Sequence, residues 1–275
     1  MEEVRIILCT IGAIRLDDGA MALFKNKDFS AKSFSDRVII KPDLFGCEGL
    51  ETFAEADQDM VFSGLSLGAN DHGLMATVNH VKITNPAHHN YDRLTELALK
   101  DAATIDQAID AIERALNQQP FWWGNLIIAD PSGCAAIEVR GQTCRISRHQ
   151  DSIFRVNHQP CFGETASPDD LPCSAKRSVA ASHHLPQVRS LQDLKEMLSA
   201  HDDGDTGICN HGVPLSTVYS YILVWRGGEI TLHVAHGLPC QAPWVELTPP
   251  LGSRWTDHQS QQFCQAYPGL DGSSQ

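Results

Sequence analysis

The chain has 275 residues, 42% of them hydrophobic, enough to bury roughly three quarters of the unfolded surface in one large domain or two small ones, and we read it as one. With 34 acidic against 21 basic residues, a formal charge of −13 and no basic run, it lacks the Lys- and Arg-rich face of a nucleic-acid binder, so no nucleic-acid partner is expected. Nowhere do about 18 apolar residues run together, so no membrane span is expected, and nine scattered cysteines without a Cys-x-x-Cys pair speak against a zinc ribbon or disulfide framework and for reduced thiols in the cytoplasm.

The N-terminus opens Met1-Glu2-Glu3, the wrong charge for a signal peptide, and Ile7 and Leu8 precede Cys9 where a lipoprotein site would carry small residues. Residues 5–15 and 20–29 are apolar and β-rich, separated by Leu16-Asp17-Asp18-Gly19, whose Asp-Gly is a hairpin signal. Cys9 therefore falls in a strand. Residues 38–40, 61–67 and 74–81 read as further strands, the last two joined by a turn at Asn70-Asp71-His72-Gly73. Between Tyr91 and Gln119 the apolar period changes to three and four, which predicts two amphipathic helices, the second capped by Thr104 with Gln107 in the capping-box position.

Strand character returns at 126–129, 135–139 and 144–146, a meander turning at Asp130-Pro131-Ser132-Gly133 and Arg140-Gly141-Gln142. Phe121-Trp122-Trp123 reads as packing on the sheet edge. Residues 161–176 are rich in Pro, Ser and Asp and read as a loop near the site entrance. A helix follows from about Ala175, and Ser190 caps a short helix through Leu198. Residues 217–225 and 229–235 form a last hairpin across Arg226-Gly227-Gly228, and the polar segment 256–275 is expected to be a flexible tail. Strands, then a helical pair, then more antiparallel strands indicate the α+β class.

The run richest in chemistry is Cys9-Thr10, Asp18-Gly19 and Lys25-Asn26-Lys27-Asp28. A thiol on the first residue of a chain carries its own base, because a free α-amine with pKa about 7.7 to 8 can accept the thiol proton at neutral pH. Taken singly, each candidate also has a plain reading. Cys9 is then a small buried apolar residue, Asp28 a solvated charge at a strand end, Lys25 a surface lysine, Asn79 and Asn157 turn residues, and Arg177 an exposed charge.

With its flanking pattern the run resembles the opening of the N-terminal-nucleophile (Ntn) hydrolases of the choloylglycine hydrolase and penicillin V acylase type. It is similar also to the acyl-coenzyme A:6-aminopenicillanic acid acyltransferase-like (peptidase C45) proteins. Further matches follow in family order: Gly64-Leu65, Asn70-Asp71-His72-Gly73-Leu74, Asn79, Gly124-Asn125-Leu126-Ile127-Ile128-Ala129-Asp130, Asn157-His158, Arg177 and Ala235-His236-Gly237-Leu238-Pro239-Cys240. The resemblance implies a four-layer αββα sandwich of antiparallel sheets, with 1–8 a propeptide cut autocatalytically and 9–255 the Ntn hydrolase domain. It implies that Cys9 attacks an amide carbonyl, Asp28 holds the α-amine or the thiol, and Arg177 lies near the nucleophile. Asn157, by its side chain, and Asn79, by its backbone N–H, would hold the oxyanion, each such donor being worth roughly 3 to 4 kcal/mol. Lys25 stands where bile-salt hydrolases carry arginine, a departure, since an ammonium cannot make the bidentate contact of a guanidinium.

The leading expectation is thus a cytoplasmic cysteine amidohydrolase acting on linear amides through a thioester, with a small-molecule amide as substrate and no cofactor. Three alternatives stay open: an acyltransferase passing the acyl group to an amine, a noncatalytic binding protein of the same fold, and an enzyme built on an internal pair such as Cys209 and His211. Thirteen histidines include no His-x-x-x-His spacing, so no metal is expected. A homo-oligomer is allowed by analogy alone.

Overall fold

The structure is a computed structural model and describes residues 9–29, 34–48, 64–82, 84–85, 88–164, 172–202, 204, 207–213, 215–252 and 256–270. Its strands are β1 (Cys9–Arg15), β2 (Met21–Phe29), β3 (Val38–Lys41), β4 (Leu44–Glu48), β5 (Leu65–Asn70), β6 (Met75–Lys82), β7 (Phe121–Asp130), β8 (Gly133–Gly141), β9 (Thr143–His149), β10 (Ser152–Arg155), β11 (Ser216–Arg226), β12 (Glu229–His236) and β13 (Val245–Leu247). They form two antiparallel sheets, one in the order β10-β1-β2-β11-β12-β13 and the other running β3 to β9 in sequence. Helices α1 (Asp92–Asp101) and α2 (Ile105–Gln118) cover the second sheet, while α3 (Pro172–His184) and α4 (Leu191–Leu198) cover the first. The result is the four-layer αββα sandwich that the resemblance implies.

All nine residues of β2 are buried, so its burial does not alternate. Its side chains do. Met21 and Leu23 join the core between the sheets, whereas Ala22 and Phe24 join the core under α3 and α4. The two-residue period carries on through the polar half of the strand, putting Lys25 and Lys27 between the sheets and Asn26 and Asp28 on the helical side. Asn26 confirms the second direction, since its Nδ2 donates to the carbonyls of Leu198 and Ile208, both at 2.9 Å.

Local signals explain most elements. Thr104 Oγ1 accepts the Gln107 N–H at the start of α2, Gln107 Oε1 accepts from Ala103 N, and Asp130 Oδ2 accepts from Ile105 N at 3.0 Å. Ser190 and Asp193 form a full capping box on α4. Gly64 lies at φ 113°, and a Cβ there would strike the backbone of Asp92 and Arg93.

Several expectations need correction. Strands β4 and β13 carry no strong sequence signal, and Phe121-Trp122-Trp123 opens β7, an interior strand between β6 and β8 rather than a sheet edge. The strand expected at 61–67 starts at Leu65, with 61–63 outside the described residues. Helix α3 begins at Pro172, shortening the loop expected over 161–176. The tail is the largest miss: Asp257–Ala266 is a helix, α5, capped by Thr256, and Phe263 and Tyr267 are buried in the core between the sheets. Two aromatic anchors outweighed the polar composition around them.

All nine cysteines are free thiols. Among the described residues no helix is long and apolar enough to cross a membrane.

The tightest backbone approach in the first sheet is at Gly12, where a Cβ would sit 2.6 Å from the Ile153 carbonyl oxygen and against the Phe24 ring. Gly12→Ala should therefore lower stability by about 1 to 3 kcal/mol, read as a lower urea midpoint at unchanged m-value.

Candidate active site

Cys9 begins β1, on the face that Ile11 and Ala13 turn toward the second sheet. Ile11 pairs with Arg155 across the β1–β10 ladder, so continuing the antiparallel register by two residues brings Asn157 opposite Cys9. The Cys9 N–H accordingly donates to Asn157 Oδ1 at 3.0 Å. Arg177, fully buried on α3, reaches the same oxygen through Nη2 at 2.7 Å and Thr10 Oγ1 through Nη1 at 3.0 Å. A guanidinium only donates, so it fixes which end of the Asn157 amide faces Cys9. The other end, Nδ2, donates to the His80 carbonyl on β6 at 2.6 Å and ties the two sheets together beside the thiol.

Asp28 lies one residue before the end of β2, with one carboxylate oxygen accepting from Thr217 Oγ1 at 2.7 Å and the other from Asn210 Nδ2 at 3.4 Å. Burial pushes its pKa up to about 7, overcoming the opposing pull of Arg177, of both hydrogen bonds and of Lys25. Burial also pulls Arg177 below its usual value, against the stabilising charges of Asp28 and Cys9. Lys25 is buried too, not on the surface: its Nζ donates to Ser66 Oγ at 2.5 Å and to the Val78 carbonyl at 2.8 Å.

Asn79 follows Val78 on β6 and shares the inward direction of Met75, toward the first sheet. It is fully buried, and among the described residues neither its Oδ1 nor its Nδ2 finds a hydrogen-bond partner. An unpaired buried amide costs about 1 to 3 kcal/mol, so the fold tolerates a strain here that a bound polar group would relieve.

The six residues singled out in the sequence thus share one neighbourhood. Cys9, Asn157 and Arg177 are joined by hydrogen bonds, Asp28 is electrostatically coupled to Arg177 and Lys25, and Lys25 holds the carbonyl next to Asn79. Sequence reasoning missed Thr10, Ser66, Asn210 and Thr217, the polar groups that hold these charges. Only Thr10, adjacent to the thiol, carried a signal. Thr217 meets Asp28 through the β2–β11 register, across 189 residues of sequence. Cys9 is buried and lines none of the cavities of about 640, 430 and 500 Å³ found elsewhere on the chain.

A family model for acyl-coenzyme A:6-aminopenicillanic acid acyl-transferase matches residues 15–215. The chain belongs to that family. The match contains Lys25, Asp28, Asn79, Asn157 and Arg177 and begins after Cys9. No curated protein matches this acyl-transferase family member in sequence. Solved structures share its fold. The Caenorhabditis elegans N-acylethanolamine-hydrolyzing acid amidase ortholog aligns with TM-score 0.52 at 13% identity, covering 78% of this chain and 92% of its own. Penicillin V acylase from Agrobacterium tumefaciens aligns with TM-score 0.51 at 13% identity over 87% of this chain and 86% of its own. A mutant of the conjugated bile acid hydrolase from Clostridium perfringens gives 0.51 at 9%, over 90% and 100%.

The Asp28 pKa sets a pH dependence for this family member. A carboxyl that binds its proton more tightly folded than unfolded contributes stability that is complete below the unfolded value of about 3.9 and is lost as pH rises through about 7. Asp28→Asn should remove that loss. Urea midpoints taken from about pH 4 to pH 8 should fall less with pH in the variant than in the parent, and parallel curves would refute the elevated pKa.

Proposed function

We propose that Cys9, freed by cleavage of the Leu8–Cys9 bond, is the nucleophile of an amidohydrolase that opens linear amide C–N bonds of small molecules. The observation that carries this reading is the hydrogen bond from the Cys9 nitrogen to Asn157 Oδ1, backed by the buried Arg177. That nitrogen is held at a polar junction although it is only a backbone amide in the uncut chain. It is the leaving group of self-cleavage and becomes the α-amine afterward. The solved structures of similar fold are named as an amidase, an acylase and a hydrolase, which supports amide chemistry.

The cycle follows from these positions. The α-amine takes the thiol proton, and the Arg177 charge favours the thiolate that is left. Sulfur attacks the amide carbonyl, a C–S bond forms, and the C–N bond breaks as the ammonium protonates the departing amine. Water then adds to the thioester and releases the acid and the thiol. Asn157 positions the amine through Oδ1, because its Nδ2 is already committed to the His80 carbonyl. The side-chain amide of Asn79, without a partner among the described residues, is the better donor for the oxyanion, facing the same inter-sheet space as Cys9. Asp28, its pKa lifted by burial to about 7, acts on this site through its electrostatic coupling to Arg177. Acyl transfer is the second reading, favoured by the family the chain matches: an amine that outcompetes water at the thioester makes the same site an acyltransferase.

Intact-mass measurement should show loss of residues 1–8 in the parent and their retention in Cys9→Ala. Asn79→Ala should still be cut and should lose about 10²- to 10³-fold in kcat on an N-acyl amide. An active parent that keeps its leader, or an active Cys9→Ala, would falsify the proposal.

A further inference from the structure

Away from the nucleophile, four side chains converge from two segments that follow different elements. His201, Cys209 and His211 lie on the loop after α4, and Cys240 lies on the turn after β12. Their ligating atoms all lie within 4.8 Å of one another. The two Sγ atoms are 3.6 Å apart, His211 Nε2 is 3.5 Å from Cys209 Sγ and 3.2 Å from Cys240 Sγ, and the His201 ring meets the His211 ring edge-on at 4.5 Å.

Tetrahedral zinc has Zn–S near 2.3 Å and Zn–N near 2.0 to 2.1 Å, which places sulfurs about 3.8 Å apart and sulfur and nitrogen about 3.6 Å apart. The three separations here match those spacings to within about 0.4 Å. Two soft thiolates with two imidazoles are the donor set that selects Zn²⁺. We propose that His201, Cys209, His211 and Cys240 form a closed zinc site of two cysteines and two histidines. Binding expels the proton of each thiol and leaves both as thiolates on the metal. Four protein ligands leave no open position, so the ion is structural rather than catalytic.

Its place in the fold gives it a task. Asn210 sits between two of the ligands and donates to Asp28 Oδ2 at 3.4 Å, while its backbone N–H donates to Thr217 Oγ1 at 2.9 Å and its carbonyl accepts from Thr217 N at 2.8 Å. Zinc would clamp this loop to the β12 turn and so hold Asn210 against Asp28. The sequence conceals the site because Cys209-x-His211 is only half a ligand set, completed by residues 8 positions before and 31 after Cys209.

Protein purified from zinc-supplemented medium without chelator should contain about one zinc per chain by elemental mass spectrometry. Cobalt exchanged into the chelator-treated protein should show thiolate-to-cobalt charge transfer and tetrahedral d–d bands. Cys240→Ser and His211→Ala should lose most of the metal, Cys161→Ser should keep it, and zinc removal should speed amide exchange in 207–213. If a cysteine or histidine variant fails to fold, the parent's metal content and cobalt spectrum still decide. A reduced, folded parent without stoichiometric zinc and without the cobalt bands overturns the site, as does a Cys209–Cys240 disulfide found in its place. None of these readouts depends on enzymatic activity.

Discussion

The candidate site rests on one buried guanidinium. Arg177 brings a full positive charge into a region without solvent, and a charge there is tolerable only with directed acceptors and a counter-charge. Asn157 Oδ1, Thr10 Oγ1 and the nearby Asp28 supply them. Meeting that demand orients the Asn157 amide, and the oriented amide takes the Cys9 N–H on one side and the His80 carbonyl on the other. A single electrostatic requirement thereby links α3, both sheets and the first residue of β1.

The same requirement explains why the polar half of β2 is so heavily supported. Lys25 and Lys27 point between the sheets, where Lys25 is held by Ser66 and Val78 and Lys27 pairs with Asp36 at 3.3 Å. Asp36 in turn accepts hydrogen bonds from Tyr221 at 2.5 Å and from Tyr267, next to α5, at 2.8 Å. Asp28 points the other way and relies on Thr217 and Asn210. Residues Lys25 to Asp28 each hold at least one directed polar partner, so this half of the strand, beside Cys9, is stabilised by polar networks, while Met21 to Phe24 pack as hydrocarbon. Such networks specify one geometry, because a partly satisfied one is costly. Asn79 has neither amide atom partnered among the described residues, and such an amide on the inter-sheet face that Cys9 shares is what a site prepared for a polar substrate group would contain.

Much of the architecture was legible along the chain. Two-residue alternation, the Asp-Gly turn and the Thr104 and Ser190 caps are local effects, and the elements they announce are present within a few residues. Elements set by distant packing were not legible. Helix α5 exists because Phe263 and Tyr267 reach the core between the sheets, and the strand through Trp122 and Trp123 lies inside its sheet because β6 and β8 flank it. The place of the Trp122 strand is not encoded in nearby residues, and of α5 only the Thr256–Gln259 capping box is local.

By itself, the sequence singled out six candidate residues: Cys9, Lys25, Asp28, Asn79, Asn157 and Arg177 stand out by type and order, and the family match spans the last five. Only the tertiary structure decided what surrounds them. Lys25 and Arg177 read equally well as surface charges, Asp28 as a solvated carboxylate, and Cys209 and Cys240 as unrelated thiols. Protonation and ligand geometry depend on desolvation and on distances of a few ångströms between groups far apart in sequence, and both arise only when the chain closes on itself.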